Sequence, residues 1–275
     1  MALSDKPEIA IVAPSGLGDA VVMLILANHL QRNHFRVTFY SDCAFELAGW
    51  LPRLSMRPLF EFSDIDRELA PYDLTITESA TIIRHRYPES AQDSLGERYW
   101  FFSFGKGGVK ATYKFDRTDA LFKEQTSESR KRRLRPLVGL NGISLKEFGQ
   151  GTSCAQGFAL LCHEHLKFPD IDKEAGLEVP RSLEYRKHKR RVLIHPVSSA
   201  HQRDLLAGRA LAFAGLLQKN GWEPVFIMTR AQYVVWKPFL DGRFMVPMLE
   251  KIHHLAAYIY ESGFVVAVDS GVGHL

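Results

Sequence analysis

Apolar residues in this chain come in short blocks, separated by glycine, proline and polar turns. Ile9–Val12 is a compact apolar run that reads as a buried parallel strand, and Ala20–Arg32 is apolar enough for a helix packed on a sheet. Between them Pro14, Gly16 and Gly18 break the pattern, and Asp19 follows at once. Arg36–Tyr40 is predicted as a second strand and Phe45–Leu51 as a short helix, followed by strands at Leu59–Phe62 and Leu74–Thr77. Strands that alternate with helices, without hairpin turn signals, predict a parallel α/β sheet.

The pattern degrades from about Arg84 to Arg135. That region holds the aromatic cluster Tyr99–Phe104, glycines at 105, 107 and 108, and the basic run Ser129–Arg135. Such a run reads either as a solvated loop or as a patch facing anions. Phe158–Leu166 can be helical. Residues Pro169–Arg191 contain Pro169, Gly176, Pro180 and a second basic run, Arg186–Arg191, and read as a linker. A second α/β unit then follows, with strands at Val192–Pro196, Pro224–Met228, Phe244–Val246 and Phe264–Val268. Helices are predicted over Leu205–Asn220, Ala231–Leu240 and Leu249–Glu261. The expected domains are therefore 1–178 and 186–275.

Composition narrows the class. The 275 residues are 46% hydrophobic and 24% charged, ample for a buried core and for one large domain or two ordinary ones. Three scattered cysteines make no disulfide framework, which favours a reducing compartment. The opening residues carry no signal-peptide pattern, and no apolar run approaches the ~20 residues that span a bilayer. A cytoplasmic protein is expected, with peripheral contact to a membrane through its basic face. The net charge of +4 is too mild to announce a nucleic-acid binder.

The candidate chemistry lies where strands end. Gly16-Leu-Gly18-Asp19 lacks the third glycine of a dinucleotide fingerprint and the Gly-Lys-Ser/Thr ending of a P-loop. Asp19 is either a helix cap or a general base able to take a proton from an incoming hydroxyl. Asp269-Ser270-Gly271 with His274 is either a capped turn or an anion site, built from backbone N–H groups, a hydroxyl and an imidazole. Ser198, Ser199 and Arg203 follow a strand. They make either an ordinary polar loop or a diphosphate clamp, because arginine pairs bidentately with phosphate oxygens. Cys154, Cys162, His163 and His165 match no closed zinc spacing, so no metal is expected.

These three segments in this order resemble the bacterial heptosyltransferases of lipopolysaccharide core synthesis, glycosyltransferase family 9. The late stretch Phe264-Val-Val-Ala-Val-Asp-Ser-Gly-Val-Gly-His-Leu275 is the most specific part. The resemblance implies a GT-B fold of two Rossmann-like domains with a cleft between them. The acceptor would sit on the first domain and the nucleotide sugar mainly on the second. It also implies an inverting transfer, independent of metal and of any cofactor, from an ADP-heptose to a lipopolysaccharide inner-core sugar. Asp19 falls on the family's base. Ser198 or Ser199 falls on the hydroxyl loop, Arg203 on the residue that neutralises the leaving diphosphate, and Asp269, Ser270, Gly271 and His274 on the donor motif.

Gly18, Arg84 and Arg86 are expected to face an anionic glycolipid acceptor. The sequence departs from the pattern at Ala13, Ile25 and Leu205, and it ends inside the last motif, so a truncated second domain is expected. Two alternatives follow: a catalytically weak homologue that only binds nucleotide or anionic glycolipid, and a nucleic-acid binder using the basic runs and Tyr99–Phe104.

Overall fold

The computed structural model describes residues 6–14, 16–78, 100–102, 127–138 and 152–275. Arg84, Arg86 and all of Tyr99–Phe104 except 100–102 lie outside them. The chain divides into two compact units, Met1–Leu177 and Glu178–Leu275.

The first unit is built on a parallel sheet of β1 (Glu8–Val12), β2 (Arg36–Ser41), β3 (Ser55–Pro58), β4 (Leu74–Glu78) and β5 (Trp100–Phe102). The strand order is β3-β2-β1-β4-β5, the first five positions of the doubly wound Rossmann order, in which the winding reverses between β1 and β4. Strand alternation sends Ala10 and Val12 into a cluster with Tyr40, Ile65, Leu69 and Tyr72, and turns Ile9 and Ile11 the other way. Helix α1 (Leu17–Arg32) is buried without a break from Ala20 to Ala27, because it lies between this sheet and helix α4 (Cys154–Leu160). Helix α2 (Ile65–Leu69) adds Ile65 and Leu69 to the cluster on the other side.

Several expected elements are displaced. The third strand is Ser55–Pro58, not Leu59–Phe62. As an edge strand it is mostly solvent-facing and needs no apolar run, while Leu59 and Phe60 pack against the Tyr40 cluster. The short helix after β2 is a 3-10 helix, Ala44–Trp50. The basic run around Arg130 is not a loop but part of helix α3 (Glu128–Val138). Arg130 pairs with Asp73 at 3.2 Å, and Arg133 donates to the carbonyls of Asn33 and His34 and lies over the Phe35 ring. Leu134 and Leu137 are buried beneath them.

The supposed linker is also structured at both ends. Arg32 holds Asp170 and Asp172 at 2.5 Å each, His29 Nε2 donates to the Asp172 carbonyl at 3.1 Å, and Asn28 donates to the Glu174 carbonyl at 2.9 Å. These contacts strap residues 170–174 onto α1. Burial pushes the Asp172 carboxyl up, but the hydrogen bond from Arg32 and the charges beside it outweigh that and hold it below its ordinary value. The basic run Arg186–Arg191 runs into strand β6 (His188–His195).

In the second unit β6 is flanked by β7 (Glu223–Phe226) and β8 (Ser262–Ala267), all parallel, in the order β7-β6-β8. Helices α5 (Ala207–Lys219), α6 (Arg230–Leu240) and α7 (Ile252–Glu261) connect them. The expected strand Phe244–Val246 is reduced to one parallel bridge, Met245 to Val225, on the outer side of β7. That bridge repeats the third strand position of the first unit, so the two units share the same order over four strand positions, including the point where the winding reverses. Ile194, Phe226 and Trp236 form one core layer, and Leu193, Val225, Ile227 and Leu255 the other.

Candidate functional site

In a doubly wound sheet the loops at the strands' carboxyl ends, where the winding reverses, are the natural ligand sites. All three singled-out segments leave such strands: Gly16–Asp19 follows β1, and the Ser198 and Asp269 segments follow the neighbours β6 and β8.

In the first unit Gly16, extended at φ −83°, is the N-cap of α1, with no side-chain cap. Asp19 is therefore not the cap. It stands in the first helical turn, exposed, and its carboxylate folds back so that a Cβ on Gly16 would lie 3.4 Å from Oδ2. Among the described residues no hydrogen bond or ion pair holds it. Gly18 is half-buried beside it. An exposed carboxylate in the first helical turn after a strand has the exposure that proton abstraction needs.

In the second unit Pro196 sets the local geometry. Ile227 donates its N–H to Ile194, and in a parallel ladder its carbonyl would next accept from residue 196, which as proline has no N–H. His195 Nδ1–H fills the gap, donating to that carbonyl at 2.7 Å. Burial holds the His195 imidazole below its ordinary pKa, although the bond to Ile227 and the charge of Asp204 pull the other way. After Pro196 the chain forms a pinned loop. The Leu205 N–H returns to the Pro196 carbonyl at 2.8 Å, the Ser198 N–H donates to Asp204 Oδ1 at 2.6 Å, and His201 meets Asp204 Oδ2 at 3.2 Å.

This loop is tied to the turn after β8. Ser198 Oγ donates to the Asp269 carbonyl at 2.9 Å and accepts from the Ala200 N–H. Arg203 Nη1 pairs with the Asp269 carboxylate, which His274 Nε2 approaches to 3.9 Å. The expectation that either serine faces phosphate is narrowed: Ser198 is buried and its hydroxyl is spent on the backbone, while Ser199 is exposed. Gly271–His274 is a short 3-10 turn. Ser270 Oγ is buried and, among the described residues, has no hydrogen-bond partner.

The arrangement offers a hydroxyl awaiting a partner, an exposed carboxylate suited to sugar hydroxyls, and a guanidinium with donors left beyond the Asp269 pair. Asp204 and His195, which hold the loop, escape the sequence reading; the signal for His195 is the proline that follows it. His163 is spent on the Phe168 carbonyl at 2.9 Å, and among the described residues no group of three His, Cys, Asp or Glu side chains is placed to hold a metal.

Two parallel α/β units with loops at the carboxyl ends of their strands are the component parts of a GT-B fold. Solved structures specify it further. The chain is similar to E. coli ADP-heptose lipopolysaccharide heptosyltransferase II, at 14% identity and TM-score 0.62, over 97% of this chain and 80% of that one. It is similar to E. coli heptosyltransferase WaaC with ADP, at 14% identity and TM-score 0.59, over 97% of this chain and 82% of that one. A family 9 glycosyl transferase from Veillonella parvula matches at 13% identity and TM-score 0.54, over 99% of this chain and 78% of that one. No protein-family profile and no curated protein matches the sequence.

Proposed function

We propose that the chain is a glycosyltransferase of the heptosyltransferase kind. It would move a heptose or related sugar from an ADP-sugar to a hydroxyl of an anionic glycolipid of the lipopolysaccharide inner core, with inversion. The observation that carries the reading is the junction of the two loops of the second unit: Ser198 and Arg203 on Asp269, beside the unpartnered hydroxyl of Ser270. Ser199, Ser270 and Arg203 hold the diphosphate, Asp269 takes donor hydroxyls, Gly271 lets the backbone close on the ligand, and His274 adds a further donor. Asp19 accepts the proton of the acceptor hydroxyl. The acceptor oxygen then attacks the anomeric carbon opposite the leaving group, the bond from that carbon to the diphosphate breaks, and Arg203 balances the charge that departs.

Support comes from the fold shared with heptosyltransferases and from the position of these residues at the strand ends. The test is calorimetric titration with ADP and ADP-heptose, paired with a transfer assay on inner-core acceptor. Binding with turnover that needs Asp19 supports the reading; binding without turnover makes the chain a nucleotide-binding homologue, and no binding removes the donor assignment.

A further inference from the structure

Three basic runs stand out in the sequence, and they end up in different surroundings. The run around Arg84 lies outside the described residues, and that around Arg130 is partly spent inside the first unit on Asp73, on backbone carbonyls and on Phe35. Arg186–Arg191 enters the second unit at the amino end of β6, the end opposite the loops described above. There β6 runs past its neighbour: pairing with β7 begins only at Arg191, opposite Glu223. Lys187, Lys189 and Arg190 are exposed, and among the described residues no carboxylate pairs with them. Lys219, at the end of α5, is exposed beside the start of β7.

Aromatic rings are interleaved with these cations. Arg186 lies over the Phe264 ring at 4.6 Å and Arg191 over that of Tyr258 at 4.4 Å. Trp222 meets Phe264 edge-on, and Tyr185, 67% exposed, leans on Tyr260. Among the described residues Phe264 is 46% exposed on β8. Glu184, Glu223 and Glu261 share this end and leave the cations in the majority. Lysine and arginine mixed with half-exposed tyrosine, tryptophan and phenylalanine is the composition of a surface that rests in a lipid headgroup layer, with cations on anionic headgroups and ring edges at the apolar boundary. A single-stranded nucleic acid would need open ring faces to stack on. Here Phe264 and Tyr258 already carry guanidinium groups and Trp222 an edge contact.

From this we infer that the amino end of the second sheet, centred on Lys187, Lys189, Arg190 and Tyr185, is a docking surface for anionic lipid bilayers. It is distinct from the donor-binding loops and independent of the transfer reaction. The test is sedimentation of the full chain with vesicles of phosphatidylcholine alone or with about one-third phosphatidylglycerol. The expected result is partition onto the anionic vesicles only, weakened by salt. The combined change Lys187→Glu, Lys189→Glu and Arg190→Glu should lower it at least about tenfold, with ADP titration and circular dichroism unchanged, and Tyr185→Ser should lower it further. Equal partition of the triple variant and the parent, equal partition onto both vesicles, or removal of the parent by a single-stranded oligonucleotide at matched phosphate concentration would each overturn the inference. Failure of the parent to bind ADP would count against the proposed function and leave this surface standing.

Discussion

Arg203 lies on the carboxylate of Asp269, 66 positions further along the chain, and so ties the loop after β6 to the turn after β8. Both side chains are substantially exposed, so the pair adds little to folding, under ~1 kcal/mol. Its value lies in aiming the guanidinium. Arg203→Ala should leave the urea midpoint nearly unchanged and weaken ADP about 10- to 100-fold, the worth of a charge-assisted hydrogen bond. A variant that loses stability but keeps its affinity for ADP would reduce Arg203 to a structural residue.

Asp19 has a different signature. As the base it should control turnover and not donor capture, so Asp19→Asn is expected to lower kcat by about 10²–10⁴ while ADP-sugar affinity holds. Its carboxylate near the amino end of α1 is worth about 0.3–1 kcal/mol to that helix, a small loss on substitution. Parallel decline of rate and donor affinity refutes the assignment.

His195 makes the second unit sensitive to acid. Its folded pKa is depressed, chiefly by burial, so the unfolded chain binds the proton more readily. The stabilisation is complete above the ordinary histidine value, about 6.5, and is lost as pH falls below it. Urea midpoints at about pH 7.5 and about pH 5.5 should show this slope, and His195→Asn, whose amide can still donate to Ile227, should flatten it. An unchanged slope would mean that other histidines carry the effect.

Two glycines should respond with opposite signs. A Cβ on Gly263 would sit 2.2 Å from the Lys189 carbonyl oxygen, where β8 runs beside the irregular start of β6. Gly263→Ala should therefore cost about 1–3 kcal/mol or more. Gly208, in the first turn of α5, has nothing within 4 Å of such a Cβ, and Gly208→Ala should stabilise by up to about 1 kcal/mol. Chemical denaturation of the two variants side by side decides it.

Much of the architecture is legible in the apolar runs, because a strand buried on both faces must be apolar throughout. Ile9–Val12 and the stretch from Val192 announce β1 and β6 in this way. Ser55–Pro58 does not announce β3, since an edge strand is held by backbone pairing that leaves little trace in side chains. The candidate site is half legible. Glycine, serine and aspartate after an apolar run mark where loops leave strands, but they do not say who meets whom. Nothing local separates Ser198, spent on a carbonyl 71 positions away, from its exposed neighbour Ser199. Nor does a basic run reveal whether it will be folded into a helix packed on Asp73, as around Arg130, or left in solvent, as at Lys187–Arg190.

Strand β6 carries Lys189 near one end and His195 at the other, six residues or roughly 20 Å away along a stiff backbone. It thus acts as a ruler. An anionic surface gripping its basic end would hold the turn at Asp269, joined to His195 through the Val268 N–H, about that same distance away.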